Sequence, residues 1–260
     1  MKERVNLAQT NFKAYFESFT ELNEQQLQNF VIKFGHSLRV ANICNSLAQK
    51  MEWSEEERGL ICIAGIYHDV GRFKQLIEFD TFNDSISVDH AEYSVQVIKE
   101  QGFLDDFSEK QQFVVLEAIR YHNKRELPRD LSEDVLQYAK LLRDADKLDI
   151  LKVITDYYGN AKATPNHTLT WEMPKGTSVT PVVARQVLTG NLVSKEDVAN
   201  QMDIKMMQLS WVYDMNFKSS FQLLMGNRFL EKIYASLTKN DTVIQAYRTV
   251  KVYAENKILG

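Results

Sequence analysis

Histidine is scarce in this chain: five among 260 residues, at positions 36, 68, 90, 122 and 167. The first four are set one or two helix lengths apart. His68 is followed directly by Asp69, and an acidic cluster, Asp144, Asp146 and Asp149, lies beyond His122. Imidazole and carboxylate donors on neighbouring helices are what a helical bundle needs to hold a divalent transition metal in its core. Adjacent residues at a helix end can reach one centre, because their side chains leave the backbone about 100° apart. A single histidine on an apolar helix face is ordinarily a packed core residue. Four of them with a His-Asp pair form a different object. Spacing does not choose among the three late acids, and His167 stands alone in a proline-rich stretch.

The elements that must position these groups read as helices. Gly 10 and Pro 4 are low for the length, which disfavours a turn-rich β architecture. Apolar periodicity predicts helices over residues about 4–22, 24–51, 54–69, 90–101, 108–123 and 131–158. Gly71 reads as the stop after the third, and Asp89 as the N-cap of the fourth. Residues 159–181 hold three of the four prolines, and the alternation across 168–180 admits a small β-hairpin. Helical patterns resume over 181–190, 194–225 and 227–257. With no repeat or linker in view, the expectation is a single all-α domain, 1–260, whose C-terminal helices pack on a core near residues 30–152.

Composition narrows the function classes. Hydrophobic residues are 44% and charged residues 25% of the chain, the proportions of a globular protein. The net charge of −4 argues against binding nucleic acid through bulk charge. Cys44 and Cys62 lie in apolar helical runs without metal-binding spacing and read as inert buried thiols. The N-terminus has no apolar leader, and no window approaches the ~20 apolar residues that span a membrane. The expected location is the cytoplasm.

Three motifs in order, Phe34-Gly35-His36-Ser37-Leu38-Arg39-Val40-Ala41, then Ala64-Gly65-Ile66-Tyr67-His68-Asp69-Val70-Gly71-Arg72-Phe73, then Arg143-Asp144-Ala145-Asp146-Lys147-Leu148-Asp149, closely resemble the HD-domain metal-dependent phosphohydrolase superfamily. The further histidines, in Asp89-His90-Ala91-Glu92 and Arg120-Tyr121-His122-Asn123, resemble its six-ligand version. That resemblance implies an all-helical scaffold and two metals per chain, with Fe or Mn favoured and Ni, Co, Zn or Mg acceptable. His36, His68, Asp69 and Asp146 would hold the first, Asp146 being selected by the family's Ala-Asp-x-Leu pattern. Asp69 would bridge to a second held by His90 and His122. Asp149 would orient a ligand histidine or cap a salt bridge, and Asp144 would be solvated.

The implied reaction is hydrolysis of a phosphate ester of a nucleotide or other small phosphorylated metabolite by a metal-activated water, with Asp69 and His68 in catalytic roles. Arg72, Lys74, Arg39 and Lys147 are cations near the ligands and the expected phosphate contacts. The segment Thr81-Phe82-Asn83-Asp84-Ser85 would be either a loop over the site or a plain surface connection. HD-fold di-iron oxygenases share the ligand order and are the competing class, with a non-catalytic metal-containing regulatory module as a third. The implied partner is a small phosphorylated substrate, without membrane or nucleic acid, and homo-oligomerisation is left open.

Overall fold

Several helices begin where a short polar side chain satisfies unpaired N–H groups of the first turn. In the computed structural model, which describes residues 1–160 and 173–260, every regular element is helical and no strand occurs among the described residues. The first helices are α1 (Lys2–Glu17), α2 (Glu24–Lys50), α3 (Glu55–Tyr67), α4 (Gly71–Phe79), α5 (His90–Glu100), α6 (Glu109–Tyr121) and α7 (Glu133–Gly159). Asn23, Ser54 and Ser108 open α2, α3 and α6 with reciprocal capping boxes to Gln26, Glu57 and Gln111. Asp89 opens α5, as expected, by accepting from the backbone N–H groups of Ala91 and Glu92.

Two boundaries differ from the sequence reading. α1 ends at Glu17 rather than near 22, because Phe19 turns back to pack on Tyr15 and Phe30, with ring centroids 5.2 Å away in both cases. α3 ends at Tyr67, and Gly71 does not stop it: Gly71 is the first residue of α4, a helix the periodicity did not predict. A Cβ on Gly71 would stand 2.5 Å from the Ser94 nitrogen, so this glycine serves a close approach of α4 to α5. Gly65 does the same for α3 and α2, where a Cβ would meet the Ala41 Cα at 2.8 Å.

Contacts divide the chain into two units, Met1–Asp146 and Lys147–Gly260, with the boundary inside α7. The first unit is held by an aromatic cluster. Phe12 stacks on Phe34 at 5.1 Å, Phe30 packs on Phe73 at 4.8 Å, and Tyr67 stacks on Phe103 at 4.8 Å. The Tyr67 hydroxyl donates to the Ala8 carbonyl at 3.1 Å. Burying each such ring contributes about 1.5–3 kcal/mol, so the residue just before His68 is fixed by packing and by a hydrogen bond together. Cys44 and Cys62 are buried and free. Burial pushes the Cys62 thiol up to about 11 and the Cys44 thiol well above its ordinary value, which leaves both unreactive.

The second unit continues with α8 (Pro181–Leu188), α9 (Gln201–Ser210), α10 (Lys218–Gly226), α11 (Phe229–Ala235) and α12 (Asp241–Leu259). The long helical patterns over 194–225 and 227–257 are each broken in two. Asn200 caps α9 by accepting from Met202 and Asp203, and Asn240 caps α12 by accepting from Val243. Residues 168–172 of the hairpin expected over 168–180 lie outside the described residues, as does His167, and no strand forms over 173–180. No helix of the described residues is long and apolar enough to cross a membrane.

Candidate metal centre

Four helix segments of the first unit deliver the groups that the sequence singles out. His36 comes from the middle of α2, His68 and Asp69 from the turn between α3 and α4, His90 from the first residue of α5, and His122 from the C-terminal end of α6. Asp146 comes from α7. All four histidines and Asp69 are buried. Gly65 matters here, because the close approach it permits between α2 and α3 brings His36 Nε2 to 3.3 Å from His68 Nε2. The contact of Gly71 with Ser94, whose hydroxyl accepts from the Gly71 N–H at 3.0 Å, similarly draws the His68-Asp69 turn to α5 and His90.

Asp69 stands between two histidine pairs. Its Oδ2 lies 3.7 Å from both His36 Nε2 and His68 Nε2. Its Oδ1 lies 3.5 Å from His90 Nε2 and 3.9 Å from His122 Nε2. Asp146 Oδ1 completes the first pair, at 3.0 Å from His36 Nε2 and 3.8 Å from His68 Nε2. His36, His68 and Asp146 thus offer one donor atom each within 4.8 Å of one another, and so do His68, Asp69 and His122. A third group, Asp84, Asp89 and His90, meets the same distance. There, however, Asp84 is engaged by Arg72 and Gln75, and Asp89 by Lys124 and the first turn of α5.

The outer nitrogens of these rings fix what the inner ones can do. His68 Nδ1 donates to the Gly65 carbonyl at 2.8 Å, and His122 Nδ1 to the Ile119 carbonyl at 2.7 Å. His90 Nδ1 pairs with Asp84 Oδ2. In a neutral imidazole a proton on Nδ1 leaves Nε2 with a lone pair. Burial, reinforced by His90 and His68, pushes His122 down to about 3. Burial and then Arg72 lower His90, and burial lowers His68. His90 and His122 therefore face each other as neutral rings, lone pair to lone pair, with Nε2 atoms 3.1 Å apart. Two lone pairs at that distance repel, and a cation between them removes the repulsion. The donor set of imidazole nitrogens and carboxylate oxygens fits a divalent transition metal.

The carboxylates are held ionised. Burial alone would raise Asp69, but Lys33, His68, His90 and Arg72 together keep it well below the usual carboxylate range. Burial opposes ionisation of Asp84 and Asp146 as well. The His90 hydrogen bond and Arg72 overcome it for Asp84, and the hydrogen bond and charge of His36 for Asp146.

The four expected phosphate contacts are distributed unevenly. Arg72 reaches the centre, with Nε 3.6 Å from Asp69 Oδ1, yet its NH1 donates to Gln75 Oε1, the Phe82 carbonyl and Asp84 Oδ1 at 2.7–2.8 Å. Lys74 pairs with Glu100 at 3.2 Å and lies over the Tyr93 ring. Arg39 lies against Gly35. Lys147 pairs with Asp214 at 2.6 Å within the second unit. Asp144, expected to be solvated, is fully buried, as is Asp149.

Several residues of the site carry no motif signal. Lys33 donates to Asp69 Oδ2 at 2.8 Å; its place three residues before His36, on the same helix side, was the available clue. Asp84 orients His90, and the segment around it joins Arg72, Gln75 and His90 in one network. Asn123 donates to Asp89 Oδ1 at 2.9 Å. Arg143 is buried and donates to the carbonyls of Tyr121, His122 and Lys124, tying the end of α6 to α7.

Residues 34–151 match the family model of the HD domain. Over an alignment of 133 positions that covers 48% of this chain, the protein is 31% identical to a Vibrio cholerae serotype O1 protein named 3'3'-cGAMP-specific phosphodiesterase 1. The alignment spans 29% of that relative's length. No solved structure matches the chain.

Proposed function

We propose that this protein is a metal-dependent phosphohydrolase acting on a phosphate ester of a nucleotide or other small phosphorylated metabolite. The observation that carries the reading is the convergence of four histidine nitrogens on the two oxygens of one buried carboxylate, in a domain of the HD type. His36, His68, Asp69 and Asp146 would hold one divalent metal, and Asp69, His90 and His122 a second. Such ions, when bound, acidify a water and offset charge on phosphoryl oxygens. The chain's own part is orientation. Gly65 and Ile119 carbonyls fix the tautomers of His68 and His122, Asp84 fixes that of His90, and Asp69 presents one oxygen to each pair. Outer partners of this kind set metal affinity and the basicity of the ligand rings.

The relative's name makes cyclic dinucleotides the first substrates to try, alongside mononucleotides and simple phosphomonoesters. The test is elemental analysis of protein purified with and without oxygen, followed by phosphate-release and diester-cleavage assays on that panel with oxygen uptake monitored in parallel. Metal-dependent hydrolysis without oxygen consumption is expected. Oxygen consumption with no hydrolysis would replace this reading with the oxygenase, and bound metal with neither activity would replace it with a regulatory module.

A further inference from the structure

Lys33 occupies a place that no motif assigns. Its ammonium donates to Asp69 Oδ2 at 2.8 Å, on the side of the carboxylate that faces His36 and His68. It also lies 5.5 Å from the centre of the Phe82 ring. The Lys33 side chain is 22% exposed where that of Asp69 is 4% exposed, so this side chain stands at the solvent edge of a buried centre. An ammonium has three N–H donors, and Asp69 takes one. The other cations are differently placed. Arg72 NH1 is fixed by three protein acceptors, and Lys74 and Lys147 are paired with Glu100 and Asp214.

We propose that Lys33 is the phosphate-contacting cation of this site, donating to a phosphoryl oxygen of the substrate above the His36, His68 and Asp146 side of the centre. The assignment rests on the hydrolytic reading given above. A compact ammonium on a flexible stem can pivot between Asp69 and a neighbouring oxygen anion, which a guanidinium fixed in a planar network cannot. A carboxylate shared with other cations holds any one of them less tightly, so a phosphoryl oxygen can draw Lys33 away from Asp69. The Phe82 face limits that swing, because the ring attracts the ammonium.

The test uses the full chain loaded with Mn²⁺ and inorganic phosphate as the probe. Calorimetric titration gives the phosphate Kd, elemental analysis gives the metal content, and ester hydrolysis gives KM and kcat separately. Lys33→Met is expected to keep the wild-type metal content while its phosphate Kd rises at least ~10-fold, about 1.4 kcal/mol, with KM rising alongside. Lys33→Arg restores part of the affinity, since the charge returns in a different shape. Should Lys33→Met fail to fold, Lys33→Gln, which keeps a donor for Asp69 without the charge, carries the same expectation. Equal phosphate affinity in wild type and Lys33→Met overturns the assignment, as does a loss of metal that fully accounts for weaker phosphate binding. A wild-type protein that binds no phosphate also overturns it. Lys33-dependent phosphate binding in a protein that cleaves no ester leaves the assignment standing and removes the hydrolytic reading alone.

Discussion

A histidine has two ring nitrogens, and what the outer one touches decides what the inner one can offer. In this protein three outer nitrogens donate to Gly65, Ile119 and Asp84, and three inner ones are left as lone pairs around Asp69. Asp84 is the most informative of these partners, because a carboxylate also makes the His90 ring a stronger ligand. Asp84→Ala is therefore expected to weaken metal binding about 10–100-fold while leaving helix content unchanged. A metal-competition titration with circular dichroism reads both, and unaltered affinity would deny Asp84 its orienting role. Asp69 makes a second prediction at this scale. Asp69→Asn keeps the size of the side chain and removes the charge that both histidine pairs face. A folded protein with kcat lowered at least ~10²-fold, about 3 kcal/mol of transition-state stabilisation, is expected. Phosphate release at the wild-type rate would contradict the hydrolytic mechanism.

Helices bring these residues together only because two of them approach unusually closely. Gly65 lets α3 lie on α2 beside Ala41, a position on the same pair of helices as His68 and His36. A methyl group there would contact backbone, which cannot move aside as a side-chain tip can. Gly65→Ala should therefore cost about 1–3 kcal/mol, the usual range for overpacking, and lower metal affinity as the two histidines part. Thermal melting of the apo and metal-loaded protein checks it; a variant with wild-type midpoints in both states would show that the approach is not needed. At this scale the sequence was readable in part. Caps at Asp89 and Ser108 and the apolar stripe of α2 are local features, so those helices appear where expected. α4 did not, and neither did the role of Gly71. That glycine precedes no left-handed turn, and its use depends on a neighbour, Ser94, that only the tertiary fold brings near. The same holds for Lys33 and Arg143, whose partners are distant in sequence. The six metal-ligand candidates were legible because the chemistry demands rare residue types in a fixed order. The cations around them were not, because lysine and arginine are common and their partners are chosen by the fold.

For the molecule as a whole, a buried set of facing lone pairs and ionised carboxylates is a destabilising arrangement that a bound cation converts into a stabilising one. Ligand binding to the folded state alone raises stability by about 2.7 kcal/mol at a free concentration of 100 Kd. Chelation should thus lower the thermal midpoint by roughly 5–10 °C, taking about 2–4 °C per kcal/mol for a chain of this size. Scanning calorimetry before and after dialysis against chelator checks this, and re-addition of metal should restore the midpoint; a midpoint indifferent to chelator would mean that no metal occupies the core. The tie between α6 and α7 through buried Arg143 belongs to the same balance, since its guanidinium donates to carbonyls that would otherwise be stranded at the end of α6.

The measurement that bears most directly on the central claim is the number of metal ions per chain, taken by elemental analysis on the wild type and on the double variant His90→Ala, His122→Ala. The facing pairs on either side of Asp69 predict two ions in the wild type. Removing the pair on the Oδ1 side should leave one, held by His36, His68, Asp69 and Asp146. Two ions retained in the double variant, or none in the wild type, would contradict the assignment of these histidines to a shared metal centre.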